Sequence, residues 1–375
     1  MQQGGRVSAA QATVDLDDTE GLLEADRDGM LRASAMAGAQ VRAVAAAVEE
    51  GALASVTGDG RPRTVIWLAA RGPAQAAGAM LAAALGAAAG EPLVLAADAL
   101  PWIGPLDVLV VAGDDPGDPT LAAAAGTAVR RGARVVVAAP YEGPLRDATA
   151  GRAAVLAPRL WVPEEFGLCR YLAAGLATLA AVDPGLAPAG RSEATRDLEP
   201  ADPLNALADE LDAEALRNSA ARDVFTNPAK MLAERMAGRP VVLAGDCPAT
   251  TALARHAATV LLRVASRPVG AAGLSDALVA VRNTAAAGFA DSLFHDEEID
   301  GPRPSRPRVL ALTLHAERPV VSARIAGMDG VDLVGVEDVG EAGSVPEGNA
   351  GTEQQLATLA VRLEMAAVYL KLAGG

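Results

Sequence analysis

Short apolar runs rich in Val, Ile and Leu recur along the chain, and Gly or Pro residues bound most of them. In the first half, the runs are residues 63–70, 92–97, 107–113 and 133–140. Ala-rich segments long enough for helical crossovers lie between the first and second runs and between the third and fourth. Apolar strands that alternate with helices are typical of a parallel sheet covered on both faces. The pattern therefore predicts a doubly wound, mostly parallel α/β domain.

The second half repeats this plan with apolar runs at residues 239–245, 308–314 and 331–337. Two segments also match each other, "RTVIWLAARGPA" (63–74) and "RPVVLAGDCPA" (239–249). Each contains an Arg, an apolar run, a small-residue loop and a Pro-Ala pair that can open a helix. A second domain of the same α/β class is therefore expected.

Helices are predicted where apolar residues recur at helical spacing. Residues 18–50 are predicted to form one long or broken helix, and residues 164–181 another. The final helix carries an apolar stripe, which consists of Leu356, Leu359, Leu363, Ala366 and Leu370. This stripe and the segment at 18–50 offer more apolar surface than two small domains need to cover, which predicts a homodimer.

The segment 183–203 contains several Pro and Gly residues and no apolar periodicity, which is typical of a linker. A chain of 375 residues also most naturally forms two domains. We therefore expect an N-terminal helix plus a first domain at residues 1–185, a linker at 186–203, and a second domain at 204–375.

Composition and charge argue against several classes of function. The net charge is −15 without a basic face, so a nucleic-acid partner is not expected. The N-terminal sequence lacks the features of a signal peptide, and the longest uncharged stretch is too weakly apolar to span a bilayer. A cytoplasmic protein without a membrane partner is expected. Cys169 and Cys247 fit no metal-ligand spacing, so neither a metal nor another cofactor is expected.

Three segments resemble those of a known family. They are "LPWIGPLDVLVVAGDDPGDPTLAAAA" (100–125), "FTNPAKMLAERMAGRPVVLAG" (225–245) and "FHDEEIDG" (294–301). In this order they resemble the bifunctional phosphoglucose/phosphomannose isomerases, which are built from two sugar-isomerase (SIS) domains. The resemblance extends over nearly the whole chain, and its most specific part is Asn-Pro-Ala-Lys at 227–230. It implies two SIS-type α/β domains and a hexose 6-phosphate ligand such as glucose 6-phosphate or mannose 6-phosphate.

Interconversion of an aldose phosphate and a ketose phosphate needs a phosphate anchor, a ring-opening group and a carboxylate that moves a proton between C1 and C2. The family's phosphate loop corresponds to residues 111–121, where Thr120 retains a hydroxyl and Asp114 introduces a carboxylate that would repel phosphate. A second loop of the family, which follows the first strand and faces the phosphate loop, corresponds to residues 69–74. There Arg71 and Gly72 are candidate contacts for the anion. In the alternative interpretation, the aspartates of this loop only cap and begin a helix.

The proton-moving carboxylate expected in the second domain is missing, because no Glu lies between Glu234 and Glu297. His295 stands at the position of the family's ring-opening histidine, which often acts from the neighbouring subunit, so it is a candidate catalytic residue. The alternative for His295 is a surface histidine beside three acidic residues. His256 and His315 are expected to be structural.

Three functions fit these features. The first is a protein that binds a sugar phosphate with lost or impaired isomerase activity and works with a partner enzyme of sugar-phosphate metabolism. The second is an active aldose–ketose isomerase that uses Asp114 or Glu297 as its base. The third is a scaffold that has kept only an assembly role. The degenerate loop and the missing carboxylate favour the first.

Overall fold

Three helices form where the sequence predicts one long or broken helix at 18–50. They are α1 (Thr19–Ala25), α2 (Met30–Ser34) and α3 (Ala37–Glu49). The chain breaks near Asp26, whose carboxylate accepts hydrogen bonds from the N–H groups of Met30 and Leu31. Gly29 permits the break because its φ is +66°. The computed structural model of the protein describes residues 14–58, 60–183, 202–291, 306–338 and 351–374.

A five-stranded parallel sheet follows. In chain order its elements are β1 (Thr64–Leu68), α4 (Gly72–Leu85), β2 (Leu93–Ala96), β3 (Asp107–Ala112), α5 (Pro119–Arg130), β4 (Arg134–Ala138), α6 (Gly143–Thr149) and β5 (Ala154–Val155). Within the sheet the strand order is β2-β1-β3-β4-β5. The central strands β1 and β3 are fully buried. That burial explains their continuous apolar sequence.

The second sheet has four parallel strands. It is preceded by a 3₁₀ turn (Glu164–Phe166) and by helices α7 (Leu168–Val182), α8 (Pro203–Arg217) and α9 (Pro228–Met236). Its elements are β6 (Val241–Gly245), α10 (Pro248–Ala265), β7 (Gly270–Gly273), α11 (Leu274–Asp291), β8 (Arg308–Leu312), α12 (Arg318–Ile325) and β9 (Val331–Val334). Within the sheet the strand order is β7-β6-β8-β9. The last helix is α13 (Thr352–Leu372). Two α/β halves with parallel sheets are thus confirmed.

A central layer of helices lies between the two sheets. One apolar core contains the inward-facing residues of both sheets together with residues of α4, α7, α10 and α13. Separate clusters cover the outer faces, with α5 and α6 on the first sheet and α11 and α12 on the second. The repeated sequence segments form β1–α4 and β6–α10, and α4 packs directly against α10. The N-terminal helix α3 packs on α8 as well as on α7.

Glycine permits the close packing of this layer at two positions. A Cβ on Gly78 of α4 would lie 2.2 Å from the Trp67 ring, and one on Gly175 of α7 would lie 2.2 Å from Leu81. Both helices therefore approach their neighbours more closely than an alanine would permit.

The sequence pattern does not predict two of the short strands. Strand β5 has two residues, and β7 is Gly-Ala-Ala-Gly at the edge of its sheet, so neither contains the β-branched run that predicts a strand. Parallel pairing with a longer neighbour, β4 or β6, holds each in place. The proposed linker at 186–203 lies almost wholly outside the described residues, and that domain division stays a prediction.

The last helix is buried on every side, which corrects the surface argument for a homodimer. The five stripe residues are at most 4% exposed, and most residues on the opposite face of α13 are also buried. Helices α8, α9 and α10 surround it, together with α2, α4 and α7. The stripe is covered within the chain and leaves no apolar face of this helix for a second copy.

Arg362, near the middle of α13, is paired with a glutamate in the interior. Arg362 is 1% exposed, and its guanidinium donates hydrogen bonds to the Glu214 carboxylate at 2.7 and 3.3 Å and to the carbonyl of Gly335 at 2.8 Å. Burial raises the pKa of Glu214, but Arg362 and neighbouring donors outweigh that effect and lower it overall. The pair therefore fixes α8 against α13.

The Asn-Pro-Ala-Lys segment has a structural role at the start of α9. Asn227 caps the helix by accepting a hydrogen bond from the Lys230 N–H at 2.9 Å. The buried Lys230 ammonium donates to the carbonyls of Ala220 and Arg222 and lies 5.6 Å from the ring centre of Tyr369. Burial lowers the pKa of Lys230. These contacts leave no free ammonium for chemistry.

Within the described ranges, no helix is long and apolar enough to cross a membrane. The same ranges contain no group of three or more His, Cys, Asp or Glu side chains that could hold a metal ion.

Replacing Arg362 tests the role of the buried pair. We expect Arg362→Met to lower the free energy of unfolding by about 3–5 kcal/mol, because it leaves Glu214 buried without its main partner. Urea unfolding followed by circular dichroism measures the change. Arg130→Met, on the exposed end of α5, is the matched control and should leave the midpoint unchanged. Equal midpoints for the two variants would show that the pair does not stabilise the fold.

Candidate functional site

The carboxyl ends of β1 and β3 form a crevice at the point where the chain connections diverge. From β1 the chain runs through α4 to β2 on one side, and from β3 it runs through α5 to β4 on the other. Ligands of doubly wound folds bind at this switch point. Arg71 and Gly72 follow β1, and the loop at 113–118 follows β3. Three of the predicted site residues, Arg71, Gly72 and Asp114, thus meet at one end of the sheet.

The loop after β3 satisfies its own amides with carboxylates. Asp118 is the N-cap of α5 and accepts hydrogen bonds from the N–H groups of Thr120 at 2.8 Å and Leu121 at 3.4 Å. Asp115 accepts one from the Gly117 N–H at 2.8 Å. Pro119 has no N–H to offer. The capping interpretation is therefore confirmed for Asp118, and the amides that would hold a phosphate at a helix N-terminus are already occupied.

Asp114 forms an ion pair with a buried arginine that the sequence analysis did not select. The Nη2 group of Arg170, in α7, lies 2.6 Å from the Asp114 carboxylate. Arg170 is only 7% exposed, and its guanidinium stacks 4.1 Å from the ring centre of Tyr171. Among the described residues, Nη1 of Arg170 and the hydroxyl of Tyr171 have no hydrogen-bond partner. Burial raises the pKa of Tyr171, so its hydroxyl stays protonated.

The other cation of the crevice, Arg71, is mostly exposed. Its Nη2 lies 3.7 Å from the Asp115 carboxylate, which is a loose pair. Gly72 follows as the first residue of α4 with a φ of +66°, a conformation that favours glycine. Its backbone lies at a helix N-terminus, where the dipole favours an anion.

A carboxylate also lies beside Gly72. A Cβ placed on Gly72 would be 2.8 Å from Oε1 of Glu164, which belongs to the 3₁₀ turn before α7. Arg263 of α10 holds Glu164 at 3.0 Å and Glu165 at 2.8 Å. The helix after the first strand of the second half offers no carboxylate for proton transfer, and the structure brings one to the crevice from the first half.

The remaining predicted residues are not all in the crevice. Thr120 is the second residue of α5, behind the Asp118 cap. His295 lies outside the described residues. Arg170 had one sequence signal, a lone charge within the apolar run "LCRYLAAGL" (168–176). Glu164 had none, because its turn follows a two-residue strand. Each described arginine of the crevice faces a carboxylate, so an incoming anion competes with an intramolecular partner.

Solved structures of phosphosugar enzymes share this fold over nearly their whole length. A glucose-6-phosphate isomerase-like protein of Thermus thermophilus is 20% identical, with a TM-score of 0.51 over 96% of this chain and 95% of that one. The tagatose-6-phosphate ketose/aldose isomerase of Escherichia coli is 14% identical, with a TM-score of 0.54 over 96% and 95%. The C-terminal domain of glucosamine-fructose-6-phosphate aminotransferase from Francisella tularensis is 8% identical, with a TM-score of 0.55 over 92% and 96%.

No family model matches the sequence, and no curated protein matches it. At these identities the likeness establishes the fold. The chain therefore has the fold of the SIS-type phosphosugar isomerases, as the sequence resemblance predicted.

Removing the cap of α5 tests whether a carboxylate occupies an anion site. We expect Asp118→Ala to lower the free energy of unfolding by about 1 kcal/mol. Inorganic phosphate should then raise the Tm of the variant more than that of the wild type, because two amides at a helix N-terminus become available. Thermal unfolding with and without phosphate measures both effects.

Asp202→Ala is the matched control, because Asp202 caps α8 and also precedes a proline. It should lose similar stability with a smaller gain in phosphate response, because it frees only the Leu204 amide and lies outside the crevice. An equal phosphate response in the two cap variants would contradict the assignment.

Proposed function

We propose that this chain binds a hexose 6-phosphate, or a closely related sugar phosphate, at the crevice between β1 and β3, and that its isomerase activity is lost or impaired. The observation that carries the proposal is Arg170, a buried guanidinium at the crevice whose Nη1 has no partner among the described residues. Arginine presents planar donors that suit phosphate oxygens. The fold shared with enzymes of glucose and tagatose 6-phosphates supports a sugar phosphate as the ligand.

Each predicted residue has a role in this proposal. Arg170 and Arg71 would exchange their carboxylate partners for the phosphate group. Gly72 would offer its backbone at the N-terminus of α4, and Thr120 would offer a hydroxyl. Asp114 opposes the anion and holds Arg170 in place when no ligand is bound. This competition predicts weak binding.

Two features support impaired catalysis. The phosphate-loop amides are occupied by Asp115 and Asp118, so the substrate lacks its usual anchor. Helix α10, which follows the first strand of the second sheet, contains no acidic residue. Proton transfer between C1 and C2 needs a positioned base. By the resemblance alone, His295 would keep a ring-opening role and would be the remaining catalytic residue.

An active aldose–ketose isomerase is the second candidate, and the position of Glu164 favours it. Its carboxylate lies against the backbone of Gly72 and could act as the base in place of Asp114 or Glu297. In that case the wild type converts fructose 6-phosphate to glucose 6-phosphate or mannose 6-phosphate, and Glu164→Gln stops the reaction without weakening binding. Without turnover in the wild type, this candidate fails.

We propose that the chain forms a homodimer. The remaining support is the family resemblance, which implies that His295 acts in the site of the neighbouring subunit. Light scattering at micromolar concentration tests it, and a monomer would contradict it. The proposal also includes a partner enzyme of sugar-phosphate metabolism, a cytoplasmic location and a domain boundary within 186–203. No nucleic-acid partner is expected. Co-purification of an interacting enzyme from native cells would test the partner.

Replacing Asp114 tests the competition at the crevice. We expect Asp114→Ser to tighten binding of fructose 6-phosphate by about fivefold or more, because removal of a repelling charge contributes about 1 kcal/mol or more. Turnover should not appear, because no base is restored. Isothermal titration calorimetry and a coupled assay for glucose 6-phosphate and mannose 6-phosphate measure the two quantities.

Asp329→Ser removes the same charge from an exposed loop before β9 and should leave binding unchanged. Arg71→Ala should abolish the binding that the native protein shows. If the native protein binds tightly and Asp114→Ser weakens binding, Asp114 contacts a sugar hydroxyl and the active isomerase becomes the better explanation.

A further inference from the structure

A second cavity lies between helices α4 and α10, beside the edge strand β2. Its volume is about 480 Å³. One stripe of α10 lines it, with Arg255, His256, Thr259 and Arg263 at helical spacing. A facing stripe of α4 includes Gln75 and Ala79. The cavity thus depends on the packing of the two halves against each other, and we call it the interhelical cleft.

His256 is the most buried polar side chain of this cleft. It is 5% exposed, and its Nε2 lies 2.9 Å from Oε1 of Glu364, which is 1% exposed. Nδ1 of His256 has no hydrogen-bond partner among the described residues. Glu364 therefore positions the imidazole through Nε2, and Nδ1 remains available to a ligand in the cleft.

The contact with Glu364 allows His256 to bind an acidic group. An imidazolium donates from both ring nitrogens, from Nε2 to the Glu364 carboxylate and from Nδ1 to the acid. A neutral imidazole whose Nε2 accepts from a protonated Glu364 also donates from Nδ1, and burial raises the pKa of Glu364. A bound acid therefore selects a form in which Nδ1 is a donor.

The two arginines of the cleft, both in α10, differ in their ion pairing. Arg263 is neutralised by Glu164 and Glu165, at 3.0 and 2.8 Å. Arg255 is exposed, and it makes no ion pair with any described residue. The two arginines are two turns apart, about 12 Å along the helix. An anion is therefore favoured at the Arg255 end, next to His256.

The rest of the cleft is largely apolar. Trp67, Leu95 and Val260 lie on its wall, together with several alanines. Pockets for small molecules combine such walls with a few polar groups that fix orientation. This combination suits a molecule with one acidic group and an apolar body.

We propose that the interhelical cleft binds a small organic acid, with its acidic group held by Arg255 and Nδ1 of His256 and its apolar body against Trp67, Leu95 and Val260. The cleft adjoins the sugar-phosphate crevice, because Gly72 also lies on its wall, but the proposed ligand contacts neither Arg71 nor Arg170. The inference does not depend on the proposed function.

Benzoate and benzamide are suitable probes, because they share an aromatic body and differ in charge. Saturation-transfer difference NMR titrations give their dissociation constants. We expect benzoate to bind wild-type protein about tenfold more tightly than benzamide. Arg255→Ala should remove that preference, and Arg255→Lys should retain part of it. Arg255 is exposed, so these variants should fold normally.

Two further variants locate the bound probe. Ala79→Phe places a ring in the cleft and should abolish binding of both probes. Arg130→Ala, the matched arginine control on α5, should change nothing, and Arg170→Ala should also leave benzoate binding intact while it affects fructose 6-phosphate. The proposal is overturned if benzoate does not bind, if Arg255→Ala keeps the full preference, or if Ala79→Phe leaves binding unchanged.

Discussion

Burial of α13 is the constraint on which the arrangement of the other helices depends. A charged side chain at the centre of such a helix needs a partner, because an unpaired charge in the interior is costly. Arg362 reaches Glu214 in α8, and Glu364 reaches His256 in α10. Tyr369 donates to the carbonyl of Asn218 at 2.6 Å. Each pairing fixes one neighbouring segment, so the last helix of the chain sets the positions of the elements that form the interhelical cleft.

The polar groups of the crevice, near the surface, are also paired within the chain. A phosphate loop must present unpaired amides and cations, which are unfavourable until a ligand arrives. Here Asp118 and Asp115 satisfy the amides, and Asp114 pairs with Nη2 of Arg170. The loop is therefore ordered without a ligand, and the anion that binds there has to compete with covalently attached carboxylates. Structural stability of the loop is gained at the expense of affinity.

Sequence reasoning succeeded where local pattern and tertiary burial agree. Strands β1, β3 and β4 combine β-branched composition with a central position, whereas β7 is defined only by its pairing with β6. The stripe of α13 was correctly recognised as helical, but the burial of its charged opposite face depends on partners distant in sequence. In the site, Arg71 and Asp114 follow strands, and carboxyl ends of parallel strands meet at one sheet edge. Arg170 and Glu164 come from α7 and the turn before it, and no rule of sequence spacing connects them to β1 or β3.

Each half places a carboxylate after a strand of its sheet, Asp114 after β3 and Asp246 after β6, and these carboxylates govern where an anion can bind. At the second sheet, Asp246 follows β6 and accepts hydrogen bonds from the hydroxyls of Thr250 at 2.8 Å and Thr313 at 3.3 Å. An anion at the ends of β6 and β8 would meet that carboxylate, as an anion at the first crevice meets Asp114. Arg255 lies about two turns into α10, and no described carboxylate pairs with it. An acid in the interhelical cleft therefore meets an arginine that it does not have to take from an intramolecular partner.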